Sequence, residues 1–189
     1  MAATITAPLG SHNPGNDPAV YVACLASYNS GTLHGAWVNL GIAATEEDIR
    51  ECIDYILKTS PTPGAEEYAV HDSQLLPGCL SATEWPDLNQ LEEYAQTVCE
   101  LSDPDFAAYR IACDNAGAVI DEDQFRSVFY GAFDSEADFC QEYYEEIGTD
   151  LGPLEAYIDW QDVWRGEFEC DSWHSEFDKE SGQYLIFSA

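Results

Sequence analysis

Positive charge is scarce in this sequence. Its 189 residues hold six Lys and Arg against 36 Asp and Glu, a formal net charge of -30 at pH 7. Phosphates and carboxylates share a sign, so direct binding to DNA or RNA is excluded as a reading. Long apolar runs are missing too. No stretch approaches the roughly 20 residues that a membrane-spanning helix needs, and no membrane partner is expected. Cysteines are present but never closely paired: Cys24, Cys52, Cys79, Cys99, Cys113, Cys140 and Cys170 lie 14 to 30 residues apart. Their number is odd and no N-terminal signal pattern accompanies them, which argues against a disulfide framework. They read as small buried hydrophobes of a cytoplasmic protein.

The motifs of common catalytic sites are lacking as well. There is no HExxH, CxxC, phosphate-binding loop or GxSxG. His71-Asp72 and Trp173-His174-Ser175 are neighbours that chance supplies, and a packed or surface histidine explains each. Asp103-Pro104-Asp105 and Asp121-Glu122-Asp123 lack the central Gly and the spacing of a calcium-binding loop. With so many acids, a glycosidase-like carboxylate pair carries no information. No catalytic residue, metal site or cofactor is expected.

What is there suffices for a fold. Apolar residues make up 46% of the chain and aromatics 13%, enough to bury real cores despite the charge. Turns and periodicity divide the chain into a leader and three small units, an α+β protein with a strongly acidic surface. Residues 1–18, rich in Pro and Gly, form the leader. The N-terminal α+β domain (19–80) opens with strand-like runs at 19–26 and 33–40, joined as a hairpin through Tyr28-Asn29-Ser30-Gly31. Thr45 caps a helix with Ile49, Cys52, Ile53, Ile56 and Leu57 on one face, stopped by Pro61 and Pro63. Residues 66–72 add an edge strand.

The central helical domain (81–117) carries a helix striped by Leu88, Leu91, Ala95 and Val98. Asp103-Pro104 opens a second helix that closes near Gly117. The C-terminal α+β domain (118–189) centres on a helix over 135–150, its apolar face made of Phe139, Cys140, Tyr143, Tyr144, Ile147 and Leu151. A further helix is expected over 154–164, then strands over 168–174 and 184–187 with a turn at Ser181-Gly182.

The acids that leave these apolar faces are the candidate functional residues. They are Glu46, Glu47, Glu51 and Asp54 in the first unit, and Glu92, Glu93 and Glu100 in the second. The third supplies Asp121, Glu122, Asp123, Glu136, Asp138, Glu142, Glu145, Glu146, Asp150, Asp159 and Asp162. As one helix, Glu136 to Asp150 would place six carboxylates on about 21 Å of axis, one per ~3.5 Å. A DNA strand carries one phosphate per ~3.4 Å. Carboxylates also offer the paired acceptors that Arg forks take from phosphate. A charged run on a single helix is ordinarily a solvated face, yet ordinary faces mix signs. Three readings stay open at this level: an imitation of nucleic acid, the solvated surface of a high-salt protein, and an acidic decoy for some other basic partner.

Particular residues carry a family resemblance. Val20-Tyr21-Val22, Leu25, Tyr28-Asn29-Ser30-Gly31 and Leu33-His34-Gly35-Ala36-Trp37-Val38-Asn39-Leu40 form a "YV..L..YN.G...G.W..L" pattern that resembles the opening of the ArdA antirestriction proteins. Glu66-Glu67-Tyr68 with Asp72 is similar to the family's next block. Tyr130-Gly131-Ala132-Phe133-Asp134-Ser135 with Asp138-Phe139 resembles its "Y.G.F.S..DF" block, and Gln183-Tyr184-Leu185-Ile186-Phe187 fits its tail. The likeness spans roughly residues 19–187.

The resemblance implies an elongated, three-domain homodimer encoded on plasmids, phages or conjugative elements. It implies inhibition of type I restriction-modification enzymes by DNA mimicry, at the place where the methyltransferase and specificity subunits grip the duplex. It transfers no catalytic residue. Tyr28, Asn29, Gly31, Gly35, Trp37, Tyr130, Gly131 and Ser135 are expected to be structural members of the family motif, and the dimer contact is expected in the third unit.

Overall fold

The computed structural model describes residues 15–101 and 103–188. By its contacts the chain falls into two compact units, Met1–Leu101 with Cys113–Asp121 and Ser102–Ala112 with Glu122–Ala189. Most of the leader lies outside the described residues. Gly15 to Pro18 are tied to the first sheet: Gln74 Nε2 donates to the carbonyls of Gly15 and Asp17, and Asn39 Nδ2 to the Asp17 carboxylate at 2.8 Å.

The first unit contains β1 (Ala19–Cys24), α1 (Leu25–Asn29), β2 (Gly35–Asn39), α2 (Glu46–Lys58), β3 (Tyr68–Gln74), α3 (Gly78–Ser81) and α4 (Leu88–Glu100). Its antiparallel sheet has the order β2-β1-β3, with Val20 facing both Val38 and Ser73. The central position of β1 explains its nearly unbroken apolar run, since both of its faces are covered. The hairpin and the edge strand are as expected, with the edge strand shifted to 68–74.

The connection differs. The segment expected as a tight turn coils into α1, which ends when the amides of Gly31 and Thr32 donate back to the carbonyls of Tyr28 and Ser27. Gly31 takes the left-handed conformation (φ 81°) that this ending demands.

Thr45 caps α2 as the sequence suggests: its Oγ1 accepts the Asp48 amide at 3.1 Å and donates to the Asp48 carboxylate at 2.6 Å. Ile49, Cys52, Ile53 and Ile56 are buried beneath it. Leu88, Leu91, Tyr94 and Ala95 are buried on α4. The next helix, α5 (Asp103–Ala116), buries Ala108, Tyr109, Ala112 and Cys113.

The second unit continues with α6 (Glu122–Val128), β4 (Phe129–Phe133) and α7 (Glu136–Glu146). A 3-10 turn (Gly152–Tyr157), α8 (Trp160–Val163), a π-helical turn (Trp164–Phe168) and a second 3-10 turn (Glu169–Asp171) follow, then β5 (Trp173–Asp178) and β6 (Gln183–Ser188). Its sheet is antiparallel in the order β4-β6-β5. Phe139, Cys140, Trp164, Phe168 and Ile186 make the core, ringed by partly buried aromatics. The Phe139 ring lies 4.9 Å from Phe168 and 5.4 Å from Trp173.

Several expectations change here. The helix expected to reach Asp150 stops at Glu146, because Gly148 (φ 74°) and Thr149 return their amides to the carbonyls of Glu145 and Tyr144. Ile147 is therefore exposed rather than part of the apolar face. The helix expected over 154–164 is broken at Asp159, whose carboxylate leaves the helical path to accept the amides of Gln161 and Asp162. The strand expected at 168–174 begins only at Trp173, since Phe168 belongs to the π-helical turn that brings its ring parallel to Trp164 in the core. The strand β4 was not expected.

Candidate functional site

The candidate carboxylates divide by exposure. Glu46, Glu92 and Glu136 are partly buried, and the other fifteen of the eighteen are exposed. The three exceptions work inside the fold. Glu92 on α4 accepts the Glu46 amide at 2.7 Å and Gln96 Nε2 at 2.9 Å, so it caps α2 from outside. Glu46 pairs with Arg50 one turn along. Glu136 accepts hydrogen bonds from the Ser175 hydroxyl and, at 2.6 Å, from Gln161 Nε2, which joins α7 to β5 and α8. Glu136 does not project freely.

In the first unit, Glu47, Glu51 and Asp54 stand one turn apart along α2 and line an open groove with Arg50, Glu66 and Tyr68. Asp54 is bridged to Lys58 at 2.9 Å. Glu93 and Glu100 are exposed on α4, and Asp121 precedes α6. Glu66 was not among the candidates; its membership comes from where β3 packs, which α2 alone does not reveal.

In the second unit, Glu122 and Asp123 occupy the first turn of α6, where the helix dipole favours anions, and Glu122 lies 3.6 Å from Arg126. Ser135 repeats on α7 the device of Thr45: its Oγ accepts the Asp138 amide at 3.1 Å and donates to the Asp138 carboxylate at 2.6 Å. Asp138, Glu142, Glu145 and Glu146 then occupy about 12 Å of helix, one per ~3 Å. That spacing stays close to the phosphate interval even without Glu136 and Asp150. Asp150 lies beyond the helix and accepts the Gly152 amide at 3.0 Å. Asp159 caps α8, and Asp162 pairs with Arg165 at 3.0 Å.

The few cations are consumed locally. Arg50, Lys58 and Arg165 each bond to a carboxylate three or four residues away, and Arg126 donates to Asp105 on α5 at 3.1 Å with Glu122 at 3.6 Å. The hydrogen bond from Arg50 to Glu46 raises the guanidinium above its ordinary pKa. Such exposed pairs add little stability. Their effect is on the surface, where the remaining exposed carboxylates share one sign. Among the described residues no group of three or more His, Cys, Asp or Glu is arranged to hold a metal ion, and no helix is long and apolar enough to cross a membrane.

The motif residues are structural in varied ways. Gly35 faces β1 so closely that a Cβ there would strike the Val22 carbonyl. Trp37 meets Tyr21 edge-on at 5.6 Å across β1 and β2. Tyr28 is exposed and packs edge-on against His71 at 4.7 Å; Asn29 is exposed beside it. The Gly131 Cα faces the Phe133 ring. Tyr130 rests its ring 5.2 Å from Phe139 and donates its hydroxyl to Glu146. Burial first, then that carboxylate, push the Tyr130 phenol up to about 12.

A family model described as antirestriction protein (ArdA) matches residues 20–173. The match takes in the opening block and the Tyr130–Ser135 block, while the tail at 183–187 lies beyond it. No curated protein matches the chain. With most of its length matched, the chain belongs to the ArdA family of antirestriction proteins.

Proposed function

We propose that the protein inhibits type I restriction-modification enzymes by standing in for duplex DNA, filling the groove between methyltransferase and specificity subunits. The family is one of non-catalytic inhibitors of restriction. The observation that supports the finer reading is the division of charge: exposed carboxylates on α2, α4, α6 and α7, with four of the six cations already paired to carboxylates of the chain. A groove built for phosphates sheds counterions when filled by such a surface, and no base need be read.

An elongated, three-part chain acting as a homodimer in the cytoplasm belongs to the same proposal. So do the roles of the individual acids: Glu47, Glu51, Glu93, Asp138, Glu142 and Glu145 lead, while Glu46, Glu92 and Glu136 serve the fold.

The test is binding to a purified type I methyltransferase. The protein should bind it, be displaced by duplex DNA, and lose affinity as salt rises. An adaptation to high salt predicts no binding and a fold that persists only in molar salt. A decoy for another DNA-binding protein predicts binding elsewhere and none here.

A further inference from the structure

We infer that Trp85 is an anchor for the basic partner, its exposed indole receiving an arginine or lysine side chain of the cleft that the proposed decoy fills. This rests on the decoy reading. Trp85 is 59% exposed, although tryptophan is among the residues that folds mostly cover. It is not loose. Its Nε1–H donates to the Tyr68 carbonyl at 2.9 Å, its own amide to Thr83 Oγ1 at 3.2 Å, and the adjoining Glu84 carbonyl accepts the Val70 amide at 2.8 Å. The 84–85 segment is thus tied to β3 at Tyr68 and at Val70.

With its polar edge spent on the strand, the indole presents ring carbon to solvent. Among the described residues no ring of the chain stacks on it and no Lys or Arg sits over it, whereas Arg126 does lie over Phe125 at 5.3 Å.

The surroundings say what the ring would take. Tyr68, whose carbonyl holds the indole, lines the groove that carries Glu47, Glu51 and Glu66, and Glu84 is exposed next in sequence. Arg50 in that groove is already bonded to Glu46. The local field therefore draws a cation, and indole is the best aromatic acceptor for one. A fixed ring loses little rotamer freedom on binding, the character of an interface hot spot. Acids supply long-range attraction; Trp85 adds a short-range contact that salt does not screen.

The experiment compares full-length wild type, Trp85→Phe and Trp85→Ala for affinity to a purified type I methyltransferase across a salt series, with acrylamide quenching of tryptophan emission. Trp85→Ala should weaken binding about tenfold with an unchanged salt slope, because no charge is lost; Trp85→Phe should stay within about threefold. The quenchable emission that separates wild type from Trp85→Phe should become shielded in the complex. This second readout needs no truncation and holds even where Trp85→Ala fails to fold. Wild-type affinity in Trp85→Ala, or undiminished quenching in the complex, overturns the anchor and leaves the decoy reading standing. Faster dissociation of a self-associated species in Trp85→Ala, seen by sedimentation, assigns the ring to a second copy of the chain and overturns it too. Absence of wild-type binding overturns the decoy reading and the anchor with it.

Discussion

The Glu92 carboxylate lies 2.7 Å from the backbone nitrogen of Glu46, so an acid of α4 closes the N-terminus of α2. Two residues that look alike in sequence as surface acids thus meet as acceptor and donor inside one unit. Glu92→Ala should lower the unfolding free energy by about 1 kcal/mol, the usual cost of a lost cap, and Glu92→Gln should restore most of it by keeping an acceptor. Urea denaturation reads the difference; wild-type stability in Glu92→Ala would show that the contact matters little, and equal losses in both variants that charge rather than the acceptor carries it.

Glu47, Glu51, Glu142 and Glu145 are exposed and lack a hydrogen-bonding or ionic partner among the described residues. Each single change to Gln should alter affinity for a type I methyltransferase less than twofold. The fourfold change should weaken it at least tenfold and flatten its salt dependence, with the melting temperature kept. An unaltered salt slope in a folded fourfold variant counts against these helices as the contact surface.

Glu136 should behave in the opposite way. Glu136→Ala strands the Ser175 hydroxyl and Gln161 amide, and its loss should appear as a destabilisation of about 1–2 kcal/mol rather than as lost affinity beyond one charge. Denaturation and binding measured on the same sample separate the two.

The Tyr130 phenol is held up to about 12 by burial and by Glu146. Its folded pKa exceeds the ordinary 10, so the native state keeps a proton that the unfolded chain gives up. That stabilisation is complete below about pH 10 and is lost as pH climbs toward 12. Tyr130→Phe should remove a late-titrating phenol from the absorbance at alkaline pH and flatten the fall in melting temperature over that window.

Thiol reagents should sort the cysteines. Cys99 and Cys170 are exposed and should react in the native protein, while Cys24, Cys52, Cys113 and Cys140 are buried and should wait for unfolding. Burial also pushes the Cys140 thiol up to about 12, which keeps it from forming a nucleophilic thiolate. Rapid modification of Cys140 at neutral pH would contradict its placement beneath α7.

What could be read in advance follows a physical line. Thr45 and Ser135 announce their helices because a cap acts over three residues, and Leu88, Leu91 and Ala95 announce α4 because a stripe repeats within one helix. The strand β4 hides because all five of its residues are only partly covered or exposed, and a bulge between Phe129 and Gly131 breaks its alternation. The kind of site proposed is suggested by the charge balance alone. Which acids turn inward is not: Glu136 is claimed by Gln161 and Ser175, 25 and 39 residues away, and Glu92 by an amide 46 residues back. Local patterns do not carry such long-range partners.

The stacking of Ile49, Cys52 and Ile56 beneath α2, and of Phe139 and Cys140 beneath α7, leaves outward acids such as Glu47, Glu51, Glu142 and Glu145 with little part in holding the chain together. Drift at those positions is cheap for the fold as long as sign is retained. Descendants of this gene should therefore exchange Asp for Glu, or shift an acid by one helical turn, far more readily than they replace Gly35 or Phe139.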